Sequence, residues 1–151
     1  MMTTSTGQPN PVYMPVSFRV AFTLDTDRGR YAVEECEPGF TRVPRELIVE
    51  HRQFNNAINA ELILRGPDTE KKEGGRKIPF FTGLIPTSTP NVYLGNVLTF
   101  TKKGERVRNG VVVRFSTDAA RMVVRYFPAY YPYPDQRAAL VQMVIDGGLL
   151  I

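Results

Sequence analysis

Cys36 and His51 are the only thiol and the only imidazole among the 151 residues, and that limits the available chemistry at once. One cysteine cannot form an intrachain disulfide. A Cys/His zinc site takes about four ligands, and two residues far apart in sequence do not supply them. A Ser-His-Asp or Cys-His nucleophile would have to use His51, which stands between Glu50 and Arg52 in what reads as the middle of a helix. Cys36 lies between Glu35 and Glu37. Carboxylates beside a thiol raise its pKa and oppose thiolate chemistry.

The carboxylates and glycines offer little more. Glu34, Glu35 and Glu37 stand across an expected hairpin from Asp25 and Asp27. Gathered carboxylates bind Mg²⁺, but strand residues alternate between faces, so these read as a solvated acidic strand end. Pro67-Asp68 followed by Glu70-Lys71-Lys72 carries letters that resemble a restriction-type nuclease motif. There the two parts lie on successive strands; here they share one loop. Gly74-Gly75-Arg76-Lys77 lacks the spacing of a phosphate-binding loop. The expectation is a non-enzymatic protein with no metal and no cofactor.

Binding chemistry is better represented. The net charge is +4, from 19 Lys and Arg against 15 Asp and Glu. That mild figure hides an asymmetry. Residues 1–70 hold seven basic and ten acidic residues, a net −3; residues 71–151 hold twelve and five, a net +7. Ten of the sixteen aromatic residues fall within residues 71–133. Cations interleaved with flat rings are what single-stranded nucleic acid requires, because cations neutralise phosphates and rings stack on bases. Arg114, Arg121 and Arg125 with Tyr126, Phe127 and Tyr130 are the expected platform. Lys102, Lys103, Arg106 and Arg108 are the expected phosphate grip on a basic hairpin tip. The segment FPAYYPYP, residues 127–134, has three tyrosines and three prolines and reads as a stiff, amphipathic ribbon.

These residues need elements to hold them. Residues 16–26 alternate, with Val16, Phe18, Val20, Phe22 and Leu24 on one side, as a half-buried strand does. Residues 30–37 read as its hairpin partner. Residues 44–65 read as a helix, opened by Pro44, striped by Leu47, Phe54, Ala57, Ile58 and Leu62, and stopped by Gly66-Pro67. A polar loop follows over 66–77. Strands are expected over 78–85, 92–102, 107–116 and 122–131, and a last helix over 136–146. The sum is one α+β domain, residues 16–148, with a mostly antiparallel sheet of five to six strands, able to curl into a barrel, and two helices. Residues 1–15 read as a flexible arm and 149–151 as a hydrophobic tail.

The opening MMTTSTGQPNP has neither the basic nor the apolar region of a signal peptide, and no apolar run exceeds five residues. With one cysteine, a cytoplasmic protein with no membrane partner is expected. The functional expectation is binding of nucleic acid, single-stranded by preference and weakly sequence-specific. The rival is a structural or assembly protein, of virion or adaptor type, that forms homo-oligomers through its arm and tail.

Overall fold

The computed structural model describes residues 13–27, 29–39, 44–51, 58–64 and 77–151. Eight strands are formed by the described residues. They are β1 (Phe18–Asp25), β2 (Arg30–Cys36), β3 (Pro44–His51), β4 (Ile58–Leu64), β5 (Lys77–Pro86), β6 (Val92–Phe100), β7 (Arg106–Phe115) and β8 (Arg121–Phe127). A single 3-10 turn, Pro134–Gln136, leads into α1 (Arg137–Asp146). Each strand pairs antiparallel with the next, and β1 also pairs with β8, Phe18 opposite Tyr126 through Thr23 opposite Arg121. That last pairing closes the sheet into a barrel.

Two expectations are corrected here. The sheet has eight strands, not five or six, and α1 is the only α-helix among the described residues. The segment expected as a helix over 44–65 supplies β3 and β4, which pair from Pro44 opposite Leu64 to His51 opposite Ile58. Its β-branched residues Ile48, Val49, Ile58 and Ile63 favour extended backbone, and the neighbouring β2 and β5 offer ladders on both sides. His51 is the last residue of β3. Phe54 and Ala57 lie outside the described residues, as do the side chains of Leu47, Ile58 and Leu62.

Inside the barrel, the alternate residues of β1, β7 and β8 form one core. Val20, Phe22, Val111, Val113, Met122 and Val124 are fully buried there, joined by Phe81, Val97 and Tyr126. Phe18 and Leu24 pack against it, as the alternation requires, whereas Val16 lies before the strand and is exposed.

The outer wall carries a second core. Ala21 of β1, Val92 and Leu94 of β6, Val112 of β7, and Val123 and Phe127 of β8 are buried under Leu140, Val141 and Val144 of α1. This explains the unbroken apolar runs of β7 and β8. A strand covered on both faces does not alternate. Leu150 is also buried in this core, so the expected C-terminal tail folds back onto the barrel, with only Ile151 of its three residues well exposed. No helix among the described residues is long and apolar enough to cross a membrane.

Candidate nucleic-acid interface

The ten residues expected at the site do not share one surface: five gather near one end of β7, and the other five are buried or stand elsewhere. Tyr126 points into the barrel core and Phe127 lies beneath α1, and both are buried. Arg125 is buried too, with its guanidinium turned to protein partners. Its Nη1 meets a Glu37 carboxylate oxygen at 3.1 Å, and its Nε and Nη2 donate to the Leu149 carbonyl. Burial pulls its pKa down, and the Glu37 carboxylate opposes that shift. These three residues cannot form a platform open to solvent.

Arg121 is exposed but engaged, its Nη2 lying 3.3 Å from Glu34. Arg19 on β1 pairs likewise with Glu35 at 2.5 Å, and its backbone N–H donates to Glu37 at 2.6 Å. The Thr23 hydroxyl and Arg121 hold the Glu34 carboxyl below its ordinary value. The three glutamates of β2 and its end are therefore the counter-charges of an arginine row on β1 and β8. Among the described residues no group of three or more His, Cys, Asp or Glu side chains is placed to hold a metal ion. Burial, and then the Glu37 carboxylate, push the Cys36 thiol above its ordinary value.

The other group lies at the opposite end of β7. Arg106 to Asn109 run past the last β7–β8 pair, Gly110 opposite Phe127. The segment after β8 crosses β7 there. Gly110 permits this, because a Cβ on it would stand 2.7 Å from the Tyr130 carbonyl oxygen. Asn109 fastens the crossing. Its Nδ2 donates to the Val97 carbonyl at 2.9 Å and to the Thr99 hydroxyl at 3.0 Å, and its Oδ1 accepts from the Ala129 N–H at 2.8 Å. Ala129 takes φ +52° at this point, a conformation unusual for a residue with a Cβ.

The ribbon so placed forms one wall of an open groove of about 550 Å³. Arg106 and Arg108 of β7, Arg137 at the start of α1, and Tyr130, Tyr131 and Tyr133 line it. The Arg108 guanidinium carbon lies 4.2 Å from the centre of the Tyr131 ring, and that of Arg137 lies 5.2 Å away. Tyr130 packs on Phe127, centroids 6.2 Å apart, while Tyr133 is 72% exposed. Lys102 and Lys103 stand exposed on the turn beyond Phe100. Neither they nor Arg106 has an ion-pair partner among the described residues. Glu105 and Asp135 are the carboxylates nearby in sequence, and neither lines the groove.

Two more apolar side chains share this face. Leu98 and Phe100 on β6 stand directly opposite Arg108 and Arg106, and direct partners in an antiparallel pair project to the same side. Phe100 is 63% exposed. Sequence reasoning missed both, together with Arg137, and named Tyr131 and Tyr133 only as parts of the ribbon. The alternation of β6 held the signal for Phe100, since Tyr93 and Val97 face inward and every second residue from Val92 must face out. Arg114 is exposed on the outer wall and lines a different depression beside Ile145 and Leu150.

Of the ten residues, the structure brings Arg106, Arg108 and Tyr130 together in the groove, with Lys102 and Lys103 on the adjoining turn. It leaves Arg114 and Arg121 elsewhere and buries Arg125, Tyr126 and Phe127. Compared with protein families, curated proteins and solved structures, the chain shows no match.

Proposed function

We propose that this protein binds nucleic acid, single-stranded by preference and without strong sequence choice, along the groove between the β6–β7 hairpin and the tyrosine ribbon. The observation that carries this reading is the lining: Arg106, Arg108 and Arg137 stand beside Tyr130, Tyr131 and Tyr133 with no carboxylate among them. Guanidinium groups meet phosphates through paired N–H donors. Exposed rings such as Tyr133 and Phe100 stack on bases at about 1–3 kcal/mol each, whatever the base. Lys102 and Lys103 would add phosphate contacts at one end. No bond is made or broken, and no cofactor is needed.

The test is anisotropy of a fluorescent oligo(dT) across a salt series. Binding through the groove gives a log–log slope of about −0.7 for each phosphate neutralised. Arg106→Ala with Arg108→Ala shallows that slope and weakens binding. Failure of the unaltered protein to bind at low salt overturns the reading.

A second reading, assembly with further copies or a scaffold, draws on the exposed Tyr13, Met14 and Val16 before β1. The burial of Leu150 removes much of the tail from that role. Light scattering that gives a closed oligomer whose size falls when Tyr13 and Val16 are changed to Ser favours assembly.

A further inference from the structure

A second depression adjoins the ribbon groove. It holds about 280 Å³ and lies between the first turns of α1 and the segment joining β5 to β6. Ile85, Pro86, Leu94 and Val141 give it apolar walls, and Ser88 and Gln142 bring polar groups to its rim. The Thr87 hydroxyl fixes that segment by donating to the Val92 carbonyl at 2.8 Å.

Arg137 belongs to both sites. It lines the groove, where its guanidinium lies over Tyr131, and it lines the pocket. Its Nε is buried and has no hydrogen-bond partner among the described residues.

Resting on the nucleic-acid reading above, we infer that this pocket receives one unpaired base of the strand whose phosphates follow the ribbon groove. The walls suit the two faces of a flat heterocycle. The Arg137 guanidinium, the Ser88 hydroxyl and the Oε1 of Gln142, whose Nε2 donates to Asp146 at 2.7 Å, suit the donors and acceptors at its edge. The volume lies at the small end of ligand pockets, which fits one base. A base in a duplex cannot enter, because it must first leave its stack. The pocket thus makes the strand's single-stranded state a requirement for full affinity.

The test uses oligo(dT) carrying one 2-aminopurine, with Ala138→Trp as the pocket-filling variant. Ala138 lines the pocket yet is itself exposed, so a larger side chain there leaves the α1 core in place. Gln142→Trp is the second variant, should the first unfold. With the unaltered protein, 2-aminopurine emission changes on binding, and a duplex of the same sequence binds about tenfold more weakly. The filled variant binds the single strand about tenfold more weakly, loses the emission change and keeps the salt slope. Unchanged affinity and unchanged emission in both variants overturn the base pocket while leaving the groove intact. Absence of any binding by the unaltered protein overturns the groove as well.

Discussion

The Arg125 guanidinium holds the Leu149 carbonyl oxygen through two hydrogen bonds, from Nε at 3.3 Å and from Nη2 at 3.2 Å. Its remaining arm meets Glu37. One buried cation thereby ties the chain after α1 to the barrel wall and to the end of β2. Arg125→Ala removes these contacts, together with the one from Nη1 to the Ser17 hydroxyl at 3.5 Å, and leaves the Leu149 carbonyl without that partner. Glu37 is 44% exposed and can be rehydrated, which limits the loss. The expected cost is about 2 kcal/mol by urea denaturation. Arg125→Lys keeps the charge but not the fork, and falls between the two. Oligonucleotide affinity at saturating fold stays unchanged in both.

Asn109 governs the ribbon. Asn109→Ala strands the Ala129 N–H and the Val97 carbonyl together, at an expected cost of about 1–3 kcal/mol. Hydrogen exchange at the Ala129 amide accelerates, and oligonucleotide affinity falls because the tyrosine wall loses its anchor.

Gly110→Ala places a Cβ against the Tyr130 carbonyl and pushes the ribbon off β7. The outcome expected is a binding loss out of proportion to the change in Tm. Tyr133→Ala is the complementary variant: with a ring 72% exposed, it leaves stability unchanged and weakens binding by about 1–3 kcal/mol.

Two exposed carboxylates contribute to the acid limb of stability. The Thr23 hydroxyl, and then Arg121, hold Glu34 below its ordinary 4.5, and the Ala120 N–H and Ser116 hydroxyl hold Asp118 below 3.8. With folded values depressed, the unfolded chain takes up protons first as pH falls. The contribution is complete above the ordinary values and disappears as pH drops through the folded ones. Tm is therefore expected to stay level from pH 7 to about 5 as far as these groups act, then decline, with Glu34→Gln flattening part of the decline. Tyr31 acts at the alkaline end. Burial, and then Asp118, raise its hydroxyl above 10.0, so its contribution is full below that value and is lost as pH climbs through the folded one.

The sequence made β1 legible because its outward residues Arg19 and Thr23 are polar and its inward ones apolar. It made β7 and β8 legible as strands but not as strands covered twice. Nothing local distinguishes Val112 beneath a helix from Val113 inside a barrel, and the same ambiguity made Arg125 look exposed. The pairing of Glu34 with Arg121 and of Glu37 with Arg125 spans 87 and 88 residues and exists only because β1 meets β8. Charge arithmetic along the chain therefore counted as separate an acidic cluster and a basic face that neutralise each other. The hairpin tip was legible, since Lys102, Lys103, Arg106 and Arg108 are too polar to be covered. The helix expected over residues 44–65 failed because a stripe at helical spacing can also be drawn through two apolar strands, and ladders on either side decide between them.

The junction of β1 with β8 also has a kinetic meaning. Its partners, from Phe18 with Tyr126 to Thr23 with Arg121, are about as far apart in sequence as this domain allows. Such contacts demand a large loop-closure entropy before they return any stabilisation. The apolar bed of α1 is drawn from β1, β6, β7 and β8 together, so the helix cannot dock fully until that seam has formed. Barrel closure and full docking of α1 are then expected late in folding, and a chain stalled before them would display the apolar outer wall to its neighbours.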